Sequence, residues 1–128
     1  MDPRDFLAVA ERFKASPSEA ERRTSVGRSY CGLFNVIITA LASRGVVFRQ
    51  IPEDHYTLVS YLAKSGHRTA ASVGAVLKDL RGERNRADYD MRAAVDLNAS
   101  RFMHRKATTA LAQFDGIPPD EWAVIVQR

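Results

Sequence analysis

Apolar residues recur along most of this chain at intervals of three and four, the spacing of one face of an α-helix. Phe6, Ala10 and Phe13 set the first stripe, behind Asp2 as a cap and Pro3 in the first helical position. A stronger start follows: Ser16 caps, Pro17 opens and Glu19 closes a capping box. A long helix is predicted from there to about Ser43, with Val26, Tyr30, Leu33, Ile37 and Ala40 as its core stripe. Phe34, Ile38 and Leu41 widen that stripe, so this helix should touch several neighbours. Gly45 is its natural stop.

The segment VVFRQ at 46–50 is β-prone but only five residues long, and it reads as a connection. Pro52 opens a third helix to about Lys64, carrying Tyr56, Val59 and either Tyr61 or Leu62 inward, and Gly66 ends it. A fourth begins near Thr69 and carries Val73, Leu77 and Leu80. A fifth is expected from Met91 or Ala93 to Phe114, with Ala99, Met103, Ala107, Ala110 and Phe114 as its stripe. Asp115-Gly116 breaks it, and Ile117-Pro118-Pro119 keeps the chain extended. EWAVIVQR is ambiguous between a helical turn and a strand, with Trp122 packing it down. The fold class is therefore all-α: an up-and-down bundle of four to five helices over 1–116, with a tail at 117–128 packed on it. The face of the second helix is broader than one small core fills, which points to a homodimer.

Composition narrows the picture only a little. The chain has 128 residues, 45% hydrophobic and 27% charged, which suits one globular domain. The net charge of +4 permits contact with nucleic acid or an acidic protein without requiring either. Cys31 is the only cysteine and reads as a buried structural thiol, so no disulfide framework forms within the chain. The amino-terminal stretch has no signal-like apolar block. The uncharged run from Ser29 to Ser43 is too short to span a bilayer comfortably. The expectation is a cytoplasmic protein without membrane contact.

Chemistry concentrates in LRGERNRADYD, residues 80–90. Arg84 is the next member of the series Val73, Leu77, Leu80. A guanidinium on an apolar stripe must snorkel, pair, or line a crevice. Asp88 lies four residues on and can pair with it, while Asn85 and Tyr89 add polar groups beside it. Two readings fit: a charged helix end with local ion pairs of small energy, or a polar functional site. A second cluster, VGRSYCGLFN at 26–35, sets Arg28 on a narrow polar line with Gly32, Asn35 and Thr39. That line is either a solvated face or a groove for another helix or a ligand. Arginine offers forked donors to phosphate, and tyrosine can stack on a base. His55, His67 and His104 form no spaced cluster, and His104, between Arg101 and Arg105, is expected to be exposed. No metal site and no cofactor is expected: glycine-rich phosphate loop, nucleophile elbow and zinc signature are all missing. Asp88 and Asp90 are two apart, on different helix faces.

VGRSYCGLFN and RNRADYD together resemble the HEPN-domain family of small helical proteins. More narrowly, the chain resembles the short branch with an Arg-Ala-Tyr-Tyr-like motif and a later Ala-Asp-Tyr motif. The likeness in helix order runs from about residue 4 to 114. Many HEPN proteins are metal-independent endoribonucleases in which an arginine, often followed by asparagine, is followed by a histidine after four to six intervening residues. Two subunits then face one cleft. The resemblance implies that Arg84 is the motif arginine, Asn85 its polar neighbour, and Tyr89 the residue where histidine is expected. A tyrosine, with a reference pKa of about 10, is a poor general base. Arg28, Tyr30, Arg84, Arg86 and Asp88 are expected to line the cleft. Family members often accompany a minimal nucleotidyltransferase in toxin–antitoxin pairs, so such a protein is an implied partner. The expectation is a HEPN-like helical homodimer that binds RNA or a partner protein. The alternatives are a metal-independent endoribonuclease with an altered motif and a purely structural dimer.

Overall fold

The computed structural model describes residues 1–126. Among them the chain forms α1 (Asp5–Phe13), α2 (Glu19–Ala42), α3 (Asp54–Ala63), α4 (Arg68–Tyr89), α5 (Leu97–Asp115), a 3₁₀ turn (Pro119–Glu121) and α6 (Trp122–Val126), with no strand. It is an all-α, up-and-down bundle. No helix of the described residues is long and apolar enough to cross a membrane.

The long second helix is central, as its wide apolar surface requires. It packs against α1, α4 and α5, and α4 also packs against α3 and α5. Leu33, Ile37 and Leu41 of α2 meet Leu58 and Leu62 of α3, Leu77 and Leu80 of α4, and Ala107 and Ala110 of α5 in one core. Each fully buried leucine or isoleucine contributes roughly 1.5–3 kcal/mol. The small residues of α5 let it approach closely. Cys31 is half-buried against this core.

Several expected boundaries move, each for a local reason. Ser18, not Ser16, caps α2: it has extended backbone angles and its hydroxyl accepts from the Glu21 amide at 3.3 Å. Ser16 instead donates to the Glu21 carboxylate at 2.5 Å and accepts from the Ser18 amide at 3.0 Å. It thus bridges Glu21 and the cap residue, and Glu19 closes no box. In α1, Pro3 lies in a turn before the helix, where the Asp2 carboxylate accepts from the Arg4 amide at 2.9 Å. The fourth helix, α4, starts at Arg68, next to the expected Thr69, and His67 caps it, its Nδ1 accepting from the Ala70 amide. The fifth helix starts at Leu97, not near Met91 or Ala93. Asp90 takes up the Arg92 and Ala93 amides in a turn, and Asp96 then caps through the Ala99 amide.

In α3, Tyr56 points outward, 64% exposed, against the expected inward position. The helix starts at Asp54, whose carboxylate accepts from the Arg49, Gln50 and Ile51 amides. That start puts His55, Leu58 and Leu62 on the inner face at helical spacing, with Val59 and Tyr61 half-buried beside them. The narrow line through Gly32 proves to be a groove for a helix: the Leu7 side chain of α1 lies against the Gly32 backbone.

The ambiguous tail forms the 3₁₀ turn and α6. Trp122 is buried edge-on against Phe114, ring centroids 5.2 Å apart, and the Arg44 guanidinium covers the Trp122 ring at 3.8 Å. Ile117, Trp122 and Ile125 join the main core. Gln127 and Arg128, which belong to the same expected tail, lie outside the described residues.

Candidate functional site

Three helices converge on one polar group inside an otherwise apolar face. Tyr30 reaches in from the α2 stripe, His55 from the first turn of α3, and Arg81 and Arg84 from successive turns of α4. The Tyr30 hydroxyl and His55 Nδ1 are 2.9 Å apart, and both residues are buried. A buried phenol and a buried imidazole each need a partner, and here each is the other's.

Arg84 lies over this pair. Its guanidinium carbon is 5.9 Å from the Tyr30 ring centroid and 5.7 Å from that of Tyr89. Its Nε pairs with Asp88 at 3.0 Å, and Nη1 donates to the Asn85 amide oxygen at 3.4 Å. The side chain is half-buried: the α4 stripe runs Val73, Leu77, Leu80, then Arg84, then buried Ala87. Arg84 therefore snorkels across aromatic rings rather than sitting sealed in the core.

Arg81 is differently placed. Its guanidinium stacks on the exposed Tyr56 ring at 4.6 Å. Its Nε and Nη1 are closed off from solvent and have no hydrogen-bond partner among the described residues. Two buried donors on a cation are costly to leave unmade.

The field at the pair follows from these positions. Burial pushes the Tyr30 hydroxyl up to about 12, against the pull of the Arg81 and Arg84 charges. Burial, assisted by the Arg81 charge, pushes His55 down to about 4. Both groups are then neutral near pH 7. The contact fits either direction: the Tyr30 hydroxyl donates to Nδ1 with the ring proton on Nε2, or Nδ1–H donates to the hydroxyl oxygen.

This depressed histidine makes stability depend on pH. An unfolded histidine titrates near 6.5, roughly, and the folded one lower, so between these values the unfolded chain binds the extra proton. Stability is full above that window and falls as pH drops through it to about 4. The loss should be at most about 3 kcal/mol, at about 1.4 kcal/mol for each pH unit between the two values. His55→Gln, which keeps an acceptor for Tyr30, should flatten this slope relative to wild type in urea unfolding from pH 7 to 4. An unchanged slope would show that His55 does not carry it.

Arg23 fixes the end of α4 that carries this group. Its guanidinium donates to the Ala87 carbonyl at 2.9 Å, the Asp90 carbonyl at 3.0 Å and the Arg86 carbonyl at 3.3 Å, and also to the Ala93 carbonyl. Glu19 holds it from behind at 3.1 Å. The Arg86 and Asp90 carbonyls also accept from the Asp90 and Ala93 amides, so Arg23 adds a second donor there. The Ala87 and Ala93 carbonyls lie past the last intrahelical bonds of α4.

Of the residues expected from sequence, Arg84, Asn85, Asp88, Tyr89 and Tyr30 stand together. Arg86 is exposed and pairs with Glu83 at 3.4 Å. Arg28 packs on α1 with its guanidinium 5.3 Å from the Phe6 ring, and no contact links it to Arg84, Asn85 or Tyr89 among the described residues. His104 is buried, not exposed. Ser100, His104, Ala107 and Leu111 form the inner line of α5, and His104 Nε2 meets Glu11 at 3.1 Å. Burial lowers its pKa. His55, Arg81 and Tyr56 were not expected at the site. Their one signal is Tyr30 itself, a phenol on a core stripe that demands a polar partner from another helix.

Among the described residues no group of three or more histidine, cysteine or acidic side chains is placed to hold a metal ion. No family model matches this chain, and no curated protein or solved structure matches it.

Proposed function

We propose that this is a HEPN-like helical protein that binds single-stranded RNA through the α4 face around Arg84. One observation carries the reading: the Arg84 guanidinium lies between the Tyr30 and Tyr89 rings. One turn earlier Arg81 lies on Tyr56 of α3, so two successive arginines of α4 each lie against tyrosine rings. Tyr56 and Tyr89 are 64% and 71% exposed and offer free ring faces. Exposed aromatic faces stack bases at about 1–3 kcal/mol each, and guanidinium groups take the phosphates between them. The positive net charge supports the same reading. A homodimer that joins two such faces, and a nucleotidyltransferase partner of the toxin–antitoxin kind, belong to this proposal through the family resemblance.

Arg84→Ala should weaken binding of a short single-stranded RNA by about tenfold or more, in fluorescence anisotropy at fixed salt. The slope of log affinity against log salt should fall by about 0.7 for each phosphate that the protein no longer neutralises. The melting temperature should move by only a few degrees, since the Arg84–Asp88 pair is partly solvated. Parallel loss of affinity and stability would assign Arg84 to the fold alone.

His55 supports a second reading, metal-independent RNA cleavage. Tyr89 is solvent-exposed where the family motif has histidine, and His55 brings an imidazole from another helix to Tyr30 and Tyr56, the rings on which Arg84 and Arg81 lie. Cleavage that persists in EDTA and disappears in both Arg84→Ala and His55→Ala would make the protein an enzyme.

A further inference from the structure

Arg81 is the least explained residue in the bundle. A cation with two donors shut away from water and no acceptor among the described residues is a costly arrangement in a finished structure. Arg84 has Asp88 to balance it, whereas Arg81 lies against the Tyr56 ring. The same Tyr56 ring meets the His55 ring edge-on, centroids 5.4 Å apart, which places Arg81, Tyr56 and His55 in one neighbourhood. A Tyr30 hydroxyl donating to Nδ1 of His55, one of the two directions the 2.9 Å contact allows, leaves the imidazole with Nε2–H, a neutral donor, to offer an acceptor.

We infer that Arg81 and His55 form a binding site for one phosphate group, with Tyr30 as the positioning residue that fixes the imidazole tautomer. The missing acceptor is an anion with several oxygens. A phosphate can accept from the forked guanidinium and from Nε2–H at once. Arg84, next on the helix, supplies further positive field. Tyr56 is the cover. Its side chain is largely in solvent, and exposed rings change rotamer in picoseconds to nanoseconds, so it can leave the guanidinium without opening the core. The inference deepens the RNA-binding reading and rests on it for the source of the phosphate, an RNA backbone. A free phosphate compound presents the same chemistry.

The test follows the histidine ring nitrogens by long-range ¹H–¹⁵N correlation at pH 7 while inorganic phosphate is added to the whole protein. The expected result is a saturable shift of the His55 resonances. Arg81→Gln should abolish it with the amide spectrum otherwise intact. Tyr30→Phe should weaken it several-fold and change the tautomer signature of His55, which a merely structural hydroxyl would not do. Tyr56→Ala should bind inorganic phosphate at least as well as wild type but bind RNA less well, because the cover goes together with a stacking face. Inorganic phosphate should also compete with RNA. If phosphate shifts His55 but RNA does not bind, the site stands for free phosphate compounds and the RNA reading falls. If wild type shows no saturable shift, or Arg81→Gln leaves it unchanged, the site is refuted even where RNA binds.

Discussion

Replacing Arg23 by leucine should cost the fold about 2–3 kcal/mol, the upper part of the range for losing hydrogen bonds to a charged donor. The side chain is 13% exposed and its guanidinium serves carbonyls of Arg86, Ala87, Asp90 and Ala93. Leucine keeps much of the apolar stem's packing but leaves those oxygens to find water in a half-closed space. Individual bonds to a charged donor are worth roughly 1.5–3 kcal/mol, and they do not add because one cation makes them all. Urea unfolding at neutral pH gives the number. Arg23→Lys should recover only part of the loss, since one ammonium cannot fork across several carbonyls. Leucine and wild type unfolding within about 1 kcal/mol would mean that water replaces the guanidinium and that Arg23 does not hold the end of α4.

Gly32→Val should be comparably damaging, at about 3 kcal/mol or more, through overpacking. A Cβ at this position would lie 2.6 Å from Cγ of Leu7 and 3.3 Å from its backbone nitrogen. Neither is the loose end of a flexible side chain, so α1 must move as a body. Gly32→Ala meets the same obstruction, but gains about 1 kcal/mol of helix propensity, for a net loss of roughly 1–2 kcal/mol. Gly82→Ala is the control. Nothing lies within 4 Å of its would-be Cβ, so it should stabilise the protein by up to about 1 kcal/mol. Thermal unfolding of the three variants separates steric cost from propensity. A Gly32→Val protein as stable as wild type would show that α1 is not docked on that line.

Periodicity made the bundle legible because it reports which face of one helix is apolar. Val26, Tyr30, Leu33 and Ile37 are all buried, as their spacing requires. It says nothing about which residues of different helices meet. His55 and Tyr30 are 25 positions apart and Arg23 and Ala87 are 64 apart, so no local window joins them. Flanking charge also misleads. His104 lies between two arginines in sequence, yet successive residues on a helix point about 100° apart, and it faces Glu11 of α1. Arg84 was visible because it continues an apolar stripe. Arg81 sits one residue after the core position Leu80 and breaks no pattern, so only its unpartnered nitrogens in the folded chain reveal it.

His67 gives the carboxyl-terminal segment a role beyond covering the core. Its Nδ1 accepts from the Ala70 amide at 3.2 Å, and its Nε2 lies 2.6 Å from the Glu121 carboxylate, 54 positions away. The entrance to α4 is thus clasped by a residue beyond α5. Amide exchange at 68–71 and at 119–126 should therefore report a single opening event, so that loosening the last helix frays the first turn of the fourth.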